Sequence, residues 1–127
     1  MRIAIAAIVM AMTVPFAQAQ DHAGGAIKVS ATDKGNVLTD ANGMTLYTFD
    51  RDEPGKSNCY DTCATNWPPL KADAGAQPDG DFSVVERTDG SAQWAYKGMP
   101  LYLWVKDANP GDMTGDGVND VWHVAVE

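Results

Sequence analysis

An internal duplication restricts this chain more than any other feature. Offset against itself by 55 residues, the sequence pairs Val29 with Val84, Gly35 with Gly90, Gly43 with Gly98, Met44 with Met99, Leu46 with Leu101, Tyr47 with Tyr102, Asp52 with Asp107 and Trp67 with Trp122. Agreement is densest where GMTLYTFDRD (43–52) meets GMPLYLWVKD (98–107), with Phe49 facing Trp104 and Arg51 facing Lys106. In a chain of 127 residues, two such short units must share one core rather than form separate domains.

Each copy opens with a short apolar strand, IKVSAT or DFSVVER, then a turn at Asp33-Lys34-Gly35 or Asp89-Gly90, then a second strand running to another Gly. These predict antiparallel hairpins. In the third strand, alternation places Tyr47 and Phe49 on one face and Tyr102 and Trp104 on the matching face of the other copy. On the opposite face Leu46, Thr48 and Asp50 turn polar, whereas Leu101, Leu103 and Val105 stay apolar. The second-copy strand is therefore expected to be buried on both sides, and the first-copy strand to lie nearer an edge. Between the copies, Ser57 or Asn58 is placed to cap a helical turn through Thr65, ended by Trp67-Pro68-Pro69, and an exposed loop follows to Gly80. The expected fold is all-β: two pseudo-equivalent antiparallel repeats sharing one core, with a short helical turn near the cysteines.

Residues 1–19 carry Arg2, an apolar run from Ile3 to Val14, and Ala17-Gln18-Ala19, the pattern of a secretory signal cut near Ala19. The expected product is a soluble periplasmic or secreted monomer. It comprises a disordered start (20–26) and a single domain (27–127) with repeats at about 27–71 and 82–126. The full chain has 17 acids against 9 bases, and loss of Arg2 with the signal leaves 8, so the product's field repels nucleic acid and anionic membrane surfaces, and no second long apolar run offers membrane insertion.

The element Tyr47/Phe49/Asp52 recurs as Tyr102/Trp104/Asp107. On these residues, and on DEPGKSNCYDTCATNWPPL (52–70) and NPGDMTGDGVNDVWHV (109–124), the chain resembles a family of bacterial secreted proteins and lipoproteins marked by a Y-x-[FWY]-x-x-D motif. The resemblance spans roughly 27–126 and implies an extracytoplasmic repeat domain of unassigned biochemical role. Many members are lipoproteins, whereas no Cys follows the signal here. Read physically, the aromatic pair is a core element, and the Asp ends its strand by accepting backbone N–H groups in a turn. A ligand cradle of stacked aromatics with an acid at its mouth is the alternative.

Cys59 and Cys63 face an oxidising compartment, where a disulfide is the default. A redox pair lacks the common C-x-x-C spacing. The remaining reading is a soft-metal site in which Cys59, Cys63 and His123, with Met44, Met99 or Met113 as adjuncts, hold Cu(I). His22, third from the expected mature start, offers a planar Cu(II) or Ni(II) site if the cut follows Ala19. Asp107, Asp112, Asp116 and Asp120 on a Gly-rich loop invite calcium, although their spacing departs from an EF-hand. No G-x-S-x-G, H-E-x-x-H or phosphate-loop pattern occurs. The expected role is thus a non-enzymatic binding or interaction domain for a small ligand or an envelope protein, with no resident cofactor. Its recognition surface is the Cys59 loop and the acidic loop 107–120. A copper-binding or electron-transfer accessory protein and a structural envelope component are the alternatives.

Overall fold

The computed structural model describes residues 21–127, so the expected signal segment lies outside the described residues. Within this range the chain is mostly β: β1 (Asp21–His22), β2 (Ile27–Thr32), β3 (Gly35–Asp40), β4 (Tyr47–Phe49), β5 (Phe82–Glu86), β6 (Ala92–Tyr96), β7 (Met99–Pro100) and β8 (Trp122–Val124), with one short helix, α1 (Thr62–Asn66). The sheets are antiparallel and ordered β1-β2-β3, β4-β8 and β5-β6-β7.

The two hairpins are equivalent but not equal in length. In the first, Val29 faces Leu38, and in the second, Val84 faces Trp94. The second turn is longer by one residue, closing with the Arg87 N–H on the Ser91 carbonyl, while the first closes on the pair Thr32 and Gly35. The following turn restores the offset, since Thr39 bridges Thr45 where Ala95 pairs with Pro100.

Beyond the hairpins the copies exchange strands. β4 belongs to the first copy, yet it pairs with β8, the tail of the second, in the register Tyr47 to Val124 and Phe49 to Trp122. Reciprocally, the segment after Leu101 lies on the tail of the first copy: Tyr102 bridges Pro69, and the Leu103 N–H donates to the Pro68 carbonyl at 2.8 Å. The two motif segments meet at the centre, where Tyr47 and Tyr102 exchange both backbone bonds at 2.8 and 2.9 Å. Four segments from alternating copies therefore make one antiparallel ribbon around a pseudo-two-fold axis. One side of it packs on a core of Ile27, Val29, Leu38, Leu46, Phe82, Trp94 and Leu101. The other side carries Tyr47, Phe49, Cys59, Trp67, Tyr102 and Trp122.

Three expectations are corrected. Residues 102–105 are not buried on both sides: Leu103 is half-buried and Val105 is 52% exposed, whereas Leu46 and Leu101 are equally buried. This segment lacks a continuous ladder because its partner is Pro68-Pro69, which has no N–H to donate. The start is ordered from residue 21, because Asp21 and His22 pair with Lys28 and Ile27, and the His22 ring packs on Phe82 at 4.7 Å. Finally, α1 begins after Asp61 at φ 56°, without a side-chain cap; Ser57 and Asn58 serve other partners.

Candidate functional site

The duplicated motif closes on itself across the two copies. The Tyr47 hydroxyl donates to Oδ2 of Asp107, and the Tyr102 hydroxyl donates to Oδ2 of Asp52, both at 2.6 Å. Each tyrosine thus serves the acid of the other repeat. The second carboxylate oxygen reaches forward into its own loop: Asp52 accepts from the Asn58 N–H at 2.7 Å, and Asp107 accepts from the Thr114 N–H and hydroxyl at 3.0 and 2.6 Å. The acid therefore does more than end its strand, since it ties the loop that follows to the opposite copy.

Burial, and then the bond to the carboxylate, hold both phenols protonated far above the ordinary tyrosine range. Burial also raises Asp52, against the lowering effect of its bonds from Tyr102 and Asn58 and of the nearby Arg87 charge.

The aromatic side chains beneath the ribbon form a ladder. Trp104 stacks on Trp67 with centroids 3.9 Å apart, Trp67 on Trp122 at 3.8 Å, and Trp122 on Phe49 at 4.2 Å. Each motif aromatic thus lies on a tryptophan of the other copy. Tyr47 and Tyr102 meet the two inner rings edge-on at 5.3 and 5.2 Å. Such contacts contribute about 0.5–1.5 kcal/mol per pair beyond area burial. Gly115 lies against this group, and its N–H donates to the Tyr47 hydroxyl at 3.2 Å.

One copy carries a polar network that the sequence reading missed. Arg87 is only 4% exposed and donates to Gln93 Oε1 at 2.7 Å, to Ser57 Oγ at 3.0 Å and to the Cys59 carbonyl at 2.6 Å. Its guanidinium lies 4.4 Å from the Tyr60 ring centre, and Ser57 in turn bonds Tyr102 at 2.6 Å. A signal for it exists: once the longer second hairpin turn is allowed for, Gln93 stands where the first copy has buried Val37.

Cys59 and Cys63 form a disulfide. The two sulfurs are bonded to each other, so the thiolates that a Cu(I) site requires are not available. His123 sits on the exposed face of β8, where its Nε2 is 2.7 Å from Asp50. His22 faces Glu127 at 3.2 Å, and the pairing of β1 holds its backbone in a sheet. Among the described residues no group of three or more His, Cys, Asp or Glu is arranged to hold a metal ion. In the acidic loop, Asp112 accepts from the N–H groups of Ala108 and Asn109. Asp116 takes Lys34 Nζ at 2.6 Å and the Val124 N–H, bonds that keep its carboxyl below the usual range. These carboxylates fold the loop.

An open groove of about 900 Å³ lies elsewhere. Leu70 and Trp94 line it together with Ala23, Gly24, Ala26 and the small residues of 74–76, and Asp40, Lys71, Asp73 and Asp79 also reach it. None of the motif, cysteine or histidine candidates lines it. It arises from the linker between the copies, which in sequence reads as an exposed loop.

Among the described residues no helix is long and apolar enough to cross a membrane. No curated protein and no solved structure matches the chain. One family model matches it twice, over residues 28–71 and 83–126, the two copies whose tyrosines and acids are exchanged. The chain belongs to that family, Lipoprotein_15, the secreted repeat of unknown function.

Proposed function

We propose that this protein is a non-enzymatic binding or interaction module of the periplasm or cell exterior, whose recognition surface is the pair of loops that follow the two motifs. One observation supports this reading: each loop is pinned at its base by the exchanged Tyr–Asp bond and by the bonds of the same acid to Asn58 or Thr114. Loops fixed before a partner arrives pay less ordering entropy on binding. Binding residues concentrate on loops held by rigid scaffolds. The disulfide adds a local staple to the first loop.

The test is site-specific photocrosslinking in cells that export the full chain, with the photoreactive residue placed singly at exposed Thr62 and Asn109 in the loops, and at exposed Ser30 and Asp81 on the hairpins. The proposal expects discrete crosslinked products from the loop positions alone. Equal products from all four positions, or none from the loops, would overturn it.

A further inference from the structure

The ladder and the two Tyr–Asp bonds are more than packing needs. A core built only for stability would bury phenylalanine at positions 47 and 102, with no carboxylate to desolvate. Here each buried phenol points its proton at a carboxylate 2.6 Å away and touches a tryptophan of a continuous stack. Oxidising a phenol by one electron makes it a strong acid, so a buried tyrosine gives up an electron readily only where a base already accepts its hydrogen bond. Indoles in face-to-face contact share a positive charge, which supplies the route inward. Of the three stacked tryptophans, Trp67 and Trp122 are buried and Trp104 is half-buried at the end of the stack. The Lys106 ammonium lies 5.7 Å from the Trp104 ring centre, so its charge disfavours a cation there and drives it toward Trp67.

We propose that the ladder is a one-electron relay, carrying oxidising equivalents from solvent at Trp104 to the Tyr47–Asp107 and Tyr102–Asp52 pairs. A diffusible one-electron oxidant takes one electron from the Trp104 indole and is itself reduced by one. Trp67 and then Trp122 refill the vacancy in turn. Tyr47 or Tyr102 supplies the last electron, its O–H bond breaks, and the proton forms an O–H bond on Asp107 or Asp52. A one-electron reductant of the thiol or ascorbate class returns the electron, and the proton moves back to the phenol. The relay is independent of what the loops bind.

The experiment is flash photolysis of the exported chain with a photogenerated ruthenium(III) polypyridyl complex as oxidant. The parent protein carries Tyr60→Phe and Tyr96→Phe, leaving Tyr47 and Tyr102 as the tyrosines of the mature chain. An indole radical should form first and decay into a tyrosyl radical, with the second step slower in deuterated water. Trp104→Phe is the decisive variant, and it should fold because the equivalent position of the first copy is Phe49. Its tyrosyl yield should fall by an order of magnitude with the near-ultraviolet circular dichroism of the inner stack retained. A tyrosyl yield unchanged by Trp104→Phe, or a parent in which no tyrosyl radical follows the indole radical, would overturn the proposal. Should Trp104→Phe prove unfolded, the parent's solvent isotope effect decides: its absence shows that the phenol proton does not move with the electron.

Discussion

Alkaline pH attacks this fold at its two exchanged tyrosines, and the size of the effect follows from their surroundings. Tyr47 and Tyr102 have no exposed surface, and burial and the bonded carboxylates raise both phenols well above the ordinary value. A group whose folded value is raised contributes stability that is whole below its unfolded value, about 10 for tyrosine, and is lost as pH climbs toward the folded one. In that window the unfolded chain has released two protons that the folded chain keeps. Each costs about 1.4 kcal/mol per pH unit, so stability falls by about 2.7 kcal/mol per unit. A domain at the low end of the usual range, about 5 kcal/mol, is half unfolded about two units above the onset. The assay is urea unfolding at stepped alkaline pH, followed by near-ultraviolet circular dichroism of the tryptophan stack and by tyrosinate absorbance. Using protein with Tyr60→Phe and Tyr96→Phe confines the absorbance to these two phenols. The absorbance should rise only as the dichroism collapses, and adding Tyr47→Phe should make the pH slope shallower by about 1.4 kcal/mol per unit, a difference that cancels the lysines. Tyrosinate forming reversibly near pH ~10 in protein with native dichroism, or a slope indifferent to Tyr47→Phe, would refute the reasoning.

The buried cation, the crowded glycine and the staple give three further tests. Arg87→Met removes three hydrogen bonds and leaves the Cys59 carbonyl and Gln93 Oε1 without that donor, so urea denaturation should show a loss of about 3–5 kcal/mol. A loss below about 1 kcal/mol would mean that water replaces the guanidinium. At Gly115 an added Cβ would sit 2.8 Å from Cη2 of Trp67 and 3.0 Å from Cε1 of Tyr47, so Gly115→Ala should cost about 1–3 kcal/mol by the same assay. Reducing the Cys59–Cys63 bond, which closes a loop of only about five residues, should cost about 2 kcal/mol and leave the dichroism of the stack in place.

The parts of the fold that depend on neighbours in sequence were legible in the residues. The turns at Asp33-Lys34-Gly35 and Asp89-Gly90 identified the hairpins, and period-two alternation placed Tyr47, Phe49, Tyr102 and Trp104 on one face, where the aromatic core lies. Cysteines in an exported segment pointed to the disulfide. The exchange between copies was not legible, because alternation says which face Tyr47 occupies but not whether its hydroxyl meets Asp52 or Asp107. The sequence identity that reveals the repeat is the reason: each copy offers the same acid. Val105 misled because an apolar residue in an apolar run reads as buried, whereas its backbone partner is Asn66, beyond the end of the core. The Arg87 network was hidden because a strand-terminal arginine is ordinarily solvated. The groove was hidden because it depends on how the linker after Leu70 folds back over Trp94, a contact no local pattern encodes.

The central claim is that each motif tyrosine is held by the acid of the other repeat. A pair of double-mutant cycles measures it directly, one combining Tyr47→Phe with Asp107→Asn and the other combining Tyr47→Phe with Asp52→Asn, all read by urea unfolding at neutral pH. The exchanged arrangement predicts coupling of about 1–3 kcal/mol for Tyr47 with Asp107, and additivity within about 0.5 kcal/mol for Tyr47 with Asp52. Coupling of Tyr47 to Asp52 with none to Asp107 would show that each repeat closes on itself, and would contradict the account.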